Sequence, residues 1–112
     1  MAYDEDLAAR AREALADRDD LSERRMFGGL ALMVGANMCV GVTGSDLMLR
    51  LGEDGAEEAL DEPHVRPMDF TGRPLKGFVY VAPEATGTRA DVQAWVDRAL
   101  AFVATLPPKH QA

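Results

Sequence analysis

The spacing of apolar residues changes along this chain, and this change constrains the fold more than any other feature. Near the N-terminus, Leu7, Ala11 and Leu15 recur at the spacing of an amphipathic helix, which Asp19-Asp20 interrupts. From Glu23 onward the period becomes two, the period of a strand with one buried face. A chain with both periods must combine helices with a sheet.

Short apolar segments follow one another in the first half of the chain with only short turns between them. Gly35-Ala36-Asn37 and Gly44-Ser45-Asp46 are the turns, since glycine and asparagine tolerate the positive φ of hairpin connections. Strands joined by turns this short pair in antiparallel fashion. The predicted strands are residues 23–26, 30–34, 38–43 and 47–51.

The second half of the chain predicts two more helices and the end of the sheet. Residues 54–60 indicate a two-turn helix before Pro63, and residues 77–81 a strand. Thr88 is a candidate N-cap, as Asp4 is for the first helix, and it precedes an apolar stripe about 18 residues long in which we expect Trp95 to be buried. The predicted fold is α+β, with two layers and a mainly antiparallel sheet of about five strands that carries helices on one face.

Length and composition predict one domain, residues 1–112, with one modest core. No apolar run reaches the roughly 20 residues that span a membrane, and the acidic start Asp4-Glu5-Asp6 is unlike a signal peptide. The single cysteine, Cys39, has no partner for an internal disulfide, which is typical of a cytoplasmic protein. The net charge of −7 argues against a nucleic-acid partner, because such binding relies on clustered Lys and Arg.

Two motifs couple basic residues to glycines, Arg25-Met26-Phe27-Gly28-Gly29 and the segment from Pro67-Met68-Asp69-Phe70 to Lys76-Gly77. Together they make the chain resemble the N-terminal domain of the TfoX/Sxy family over most of its length. The resemblance implies an α-β-β-β-α-β-β-α order similar to secretion chaperones, in which residues 66–70 supply one more strand. The family's namesakes regulate natural competence and carry a second, helical domain, which we do not expect here, so neither competence regulation nor any catalytic residue is carried over.

Basic side chains near the two motifs suggest a local anion site. We expect Arg25, Arg50, Arg73 and Lys76 to meet where the two glycine segments approach each other, and the arginine fork suits a carboxylate or phosphate. The competing interpretation places these arginines in surface ion pairs with Asp46, Asp69 or Glu23.

Other residues favour structural roles. Cys39 is interpreted as a small buried residue, Gly28-Gly29 as a bend or bulge, and Asp69 as a residue that bonds within its own loop. The methionines at strand positions, Met26, Met33, Met38, Met48 and Met68, are either core residues or an adaptable surface. Neither a metal site, a cofactor nor a nucleophile–base pair is expected.

The sequence thus favours a non-enzymatic regulatory or protein-binding module with an unidentified protein partner and without a membrane partner. We also expect the protein to be a homodimer. The alternative is a small-ligand-binding protein or enzyme that uses the arginine-lined anion pocket. A deep cavity with converging arginines would favour the alternative, and a flat apolar patch would favour the binding module.

Overall fold

The structure, a computed structural model, describes residues 3–26, 29–70 and 73–106, except for the side chains of residues 26, 69, 70 and 73–75. It confirms the α+β class. The elements are α1 (Glu5–Ala14), β1 (Leu21–Met26), β2 (Gly29–Val34), β3 (Asn37–Thr43), β4 (Asp46–Arg50), α2 (Gly52–Leu60), β5 (Val65–Phe70), β6 (Arg73–Val81), a short 3-10 helix (Pro83–Ala85) and α3 (Arg89–Val103).

The strands form one antiparallel sheet in the order β1-β2-β3-β4-β6-β5, which leaves β1 and β5 at the edges. One face carries all three helices, and rows of apolar residues cross the sheet beneath them. One such row is Leu32, Val40, Leu49 and Val79. The helices pack on this row because each presents a stripe of small or branched residues, such as Ala11 of α1 and Val96 of α3.

Both predicted helix caps are present. Asp4 Oδ1 accepts hydrogen bonds from the amides of Asp6 at 2.9 Å and Leu7 at 3.2 Å, and Thr88 Oγ1 accepts from the Asp91 amide at 3.1 Å. α3 has 15 residues and ends at Val103, before the predicted position. The following residues close tighter turns, because a proline at position 107 disfavours helical geometry just before it.

The turn between β2 and β3 differs from the prediction. Gly35 and Ala36 have positive φ values of 58° and 63° and form a two-residue hairpin loop, whereas Asn37 already lies in β3 and is buried. Two consecutive positive φ values are the mark of a type I′ turn, whose twist matches that of the flanking strands. The hairpin itself was predicted, but its loop has two residues, Gly35 and Ala36, instead of the three that the sequence suggested.

Three methionine side chains on the face of the sheet without helices are also buried. Met33, Met48 and Met68 are at most 9% exposed, and the Met48 side chain lies over Gly41, where a Cβ would come within 2.5 Å of its methyl group. The interpretation of the methionines as core residues is therefore confirmed for these three. The homodimer stays a prediction, for light scattering to decide, and these three buried side chains do not supply its contact surface.

Candidate functional site

A cavity of about 420 Å³ lies where β4 ends, α2 begins and β6 passes beside them. The chain turns sharply here, since Gly52 starts α2 directly after Leu51 with a φ of 77°. The Leu51 amide donates to the Gly77 carbonyl at 2.8 Å, which holds β6 against this turn.

Two glycines allow this close approach. A Cβ on Gly77, whose φ is 86°, would come within 3.2 Å of the Gly52 carbonyl carbon. A Cβ on Gly52 would come within 2.5 Å of Cε1 in the Phe102 ring of α3. Only glycine fits both places, because the conformation is left-handed and the space is filled. The cavity floor therefore depends on Gly52 and Gly77.

Arg50, the last residue of β4, is the most constrained charge in the cavity. Its guanidinium carbon lies 5.7 Å from the centroid of the Phe78 ring and 5.7 Å from that of Phe102. The side chain is half-buried, and among the described residues no carboxylate forms an ion pair with it. The two rings stabilise the cation through their faces and leave its N–H edge without an acidic partner.

Charges of both signs line the same cavity. Lys76 lies on the β6 side, and Glu53 and Asp54 lie in the first turn of α2. None of the ion pairs found among the described residues joins any of these side chains to Arg50 or to one another. The α2 N-terminus also has no side-chain cap. The cavity therefore holds two cations and two carboxylates that do not neutralise one another by direct contact.

A second cavity of about 310 Å³ continues along α2. It shares Glu53, Asp54, Lys76, Gly77 and Phe78 with the first cavity and adds Ala56, Glu57, Leu60 and Pro67. Leu60 is 38% exposed and is the one large apolar side chain that is exposed within the described parts of the chain. We call the two cavities together the α2 groove.

The family scan matches the TfoX N-terminal domain over residues 13–103, a range that contains the whole α2 groove. The chain belongs to the TfoX N-terminal domain family. No curated protein and no solved structure gave a significant match. The family assignment supports the fold and carries no specific role.

The four residues predicted to form an anion site are not all together in this TfoX N-terminal domain. Arg50 and Lys76 line the same cavity. Arg25 lies on the edge strand β1, three strands away from β4, and does not line that cavity. The Arg73 side chain lies outside the described residues. The separation of Arg25 follows from the strand order, which the sequence does not show.

Two of the acids named in the competing interpretation pair with other arginines. Asp46 accepts two hydrogen bonds from Arg66, at 2.7 and 3.3 Å, and Glu23 accepts two from Arg12, at 2.9 and 3.0 Å. Neither acid therefore pairs with a predicted site residue. The Asp69 side chain, Phe27 and Gly28 lie outside the described residues, so the predictions about them stay predictions.

Other features of the chain that could point to a function are a thiol, metal-binding side chains and apolar helices. Cys39 is fully buried, and burial raises the pKa of its thiol to about 12, so its interpretation as a small buried residue is confirmed. Across the described ranges, no group of three or more His, Cys, Asp or Glu side chains is arranged to hold a metal ion. None of the described helices has the length and apolar character needed to cross a membrane.

Sequence reasoning missed the aromatic part of the groove. Phe102 falls outside the predicted apolar stripe of α3, yet it packs against the edge of the core and contacts the start of α2, and a large aromatic side chain on the flank of a helix is a signal for such a contact. The sequence-based prediction also placed the start of α2 at Asp54, although the helix begins at Gly52. That shift of two residues hid the contribution of Glu53 to the cavity.

Proposed function

We propose that this TfoX N-terminal domain is a non-enzymatic, regulatory protein-binding module, and that the α2 groove holds a segment of its partner. The observation that carries the proposal is the continuity of the two cavities beside α2. Together they offer an extended surface rather than one closed pocket, with aromatic rings at one end and the exposed Leu60 at the other.

The character of the groove supports recognition of a partner segment. Exposed apolar residues flanked by charged ones are typical of interaction surfaces, and arginine and aromatic residues are enriched among the residues that dominate binding energy. Arg50, Phe78 and Phe102 form such a group in one place.

One observation favours the second candidate, a small-ligand site. The cavity at Arg50 has a volume of about 420 Å³, within the usual range of roughly 300–1,000 Å³ for small-molecule sites. The structure therefore offers neither the deep arginine-lined pocket nor the flat apolar patch considered from the sequence, and the experiment must separate the two candidates.

The test is photo-crosslinking in the native cell with a photoreactive phenylalanine analogue in place of Leu60. The matched control carries the same analogue in place of Ala94, an exposed residue of α3 outside the groove. A partner in the groove gives a discrete protein-sized adduct at position 60 and none at position 94.

The mass of the adduct separates the candidates. An adduct of a few hundred daltons would show that the groove binds a small ligand and not a protein partner. Absence of an adduct at position 60, or equal adducts at both positions, would overturn the proposal that the groove is the binding surface.

A further inference from the structure

We infer that the α2 groove recognises the C-terminal end of a partner chain. The partner's terminal carboxylate pairs with Arg50, its last side chain is apolar and contacts Phe78 and Phe102, and a lysine or arginine a few residues earlier lies beside Glu57. This inference rests on the proposed function and adds the chemistry of the partner segment.

The Arg50 end of the groove is suited to a carboxylate. The guanidinium is planar and offers parallel N–H donors, which match the two oxygens of a carboxylate. Its guanidinium carbon lies 5.7 Å from the centroids of both the Phe78 and Phe102 rings, so two cation–π contacts favour this position. Among the described residues no acid forms an ion pair with Arg50, whereas other described arginines, such as Arg12 and Arg66, are paired.

The distribution of charge along the groove excludes a simple anion as the best ligand. Along the groove the cations are Arg50 and Lys76 and the carboxylates are Glu53, Asp54 and Glu57; Arg50 lines only the first cavity and Glu57 only the second. A phosphate or a nucleic acid would meet more acidic than basic side chains. A ligand that matches this surface carries a negative charge at one end and a positive charge further along.

The length of the groove sets the spacing of those charges. Five residues of helix separate Gly52, at the Arg50 end, from Glu57, which is about 8 Å at 1.5 Å per residue. An extended peptide covers that length with roughly two or three residues at about 3.3 Å each. The cationic residue therefore belongs two or three positions before the terminal residue.

The two rings beside Arg50 favour an apolar side chain on the last residue of the partner segment. Phe78 is half-buried in β6 and Phe102 is half-buried in α3, so both keep part of their surface for a ligand. The missing side chain of Gly52 lets the Phe102 ring pack directly against the start of α2, which places that ring beside Arg50. An apolar or aromatic last residue fits this surface.

The test is an NMR titration of the ¹⁵N-labelled protein with acetyl-Ala-Ala-Lys-Ala-Phe as the free acid and as the C-terminal amide. The amides of Gly52, Gly55 and Gly77 report binding in the groove. We expect the free acid to bind at least about tenfold more tightly, because charge-assisted bidentate pairs are roughly twice as strong as neutral hydrogen bonds.

Variants locate each contact. Arg50→Gln removes the preference for the free acid, and Arg50→Lys, which keeps the charge without the fork, retains only part of it. Glu57→Gln weakens the lysine peptide severalfold and leaves the same peptide with alanine in place of lysine unchanged. Arg24→Gln, which removes an exposed arginine on β1 outside the groove, leaves all affinities unchanged. Unaltered far-UV circular dichroism confirms that each variant is folded.

Equal binding of acid and amide, an unchanged preference in folded Arg50→Gln, or no saturable shift at millimolar peptide would overturn the inference. If acetyl-phenylalanine alone binds as tightly as the peptide, the ligand is a small carboxylate and not a chain terminus. If an amidated peptide with an internal glutamate binds equally well, the ligand is an acidic internal segment and not a chain terminus. The crosslink at position 60 is independent of these results, so the proposed function can hold while this inference fails.

Discussion

Replacement of Trp95 by alanine tests whether α3 is the main cover of the sheet. Trp95 is 9% exposed, and its indole Nε1 donates to the Ala85 carbonyl at 3.2 Å. The Arg98 guanidinium lies 4.6 Å from the ring centroid and shields its outer face. The side chain therefore joins α3 to the segment that follows β6.

The expected loss is large for a domain of this size. Truncation of a buried tryptophan to alanine typically costs about 3–5 kcal/mol, including the cavity left behind. The total free energy of unfolding of such a domain is about 5–15 kcal/mol. Since about 1 kcal/mol lowers the melting temperature by roughly 4 °C at this length, we expect a decrease of about 12–20 °C.

Urea denaturation followed by far-UV circular dichroism measures the change, since Trp95 is the single tryptophan and fluorescence is lost with it. Trp95→Phe keeps a ring but removes the donor to Ala85, so it should lose less, about 1–3 kcal/mol. Gln93→Ala, a partly exposed position on the same helix, should change stability by no more than about 0.5 kcal/mol. A loss in Trp95→Ala below about 1 kcal/mol, with an unchanged denaturant slope, would refute the role assigned to this side chain.

Three further changes test other parts of the fold. Gly29→Ala places a Cβ against the Val42 carbonyl oxygen, and urea denaturation should show a loss of about 1–3 kcal/mol; a neutral result would contradict the close approach of β2 and β3. Ala36→Gly relieves a positive φ of 63° and should stabilise by about 0.5–1 kcal/mol, and a decrease in melting temperature would be the opposite of this expectation. The hydrogen bonds from Arg12 lower the pKa of Glu23 from its usual 4.5, so this pair stabilises the fold above that pH and the effect is lost as the pH falls through the lowered value. Glu23→Gln should therefore cost about 0–1 kcal/mol at pH 7 and nothing at pH 2, and a cost that persists at pH 2 would exclude the ion pair as its cause.

The fold could be predicted from the sequence wherever patterns of a few consecutive residues determine the local structure. The caps at Asp4 and Thr88 were predicted because a short polar side chain just before a helix can accept hydrogen bonds from amides that the first turn leaves unsatisfied. Alternating apolar residues located the strands, since one face of the sheet is buried under helices. Each of these signals is contained within a few consecutive residues.

Only half of the candidate site could be predicted from the sequence, because strand order depends on pairings between distant parts of the chain. β4 pairs with β6 rather than with β5, and this pairing brings Arg50 opposite Phe78. The same order leaves Arg25 on the far edge of the sheet. A sequence motif shows which residues are basic, but the distance between them depends on contacts that no local pattern encodes.

The balance of charges in the groove also suggests why it can persist in a small acidic domain. Lys76, Glu53 and Asp54 are exposed, so leaving them without direct partners costs little, given that exposed ion pairs contribute only about 0–1 kcal/mol. Arg50 is half-buried and would cost more, but the faces of Phe78 and Phe102 offset its loss of hydration. A ligand that removes water from the groove would strengthen its own ion pairs with these charges, because the effective dielectric falls, provided that each charge it covers gains a partner of opposite sign. The groove can therefore remain ready to bind without lowering the stability of the unbound domain by much.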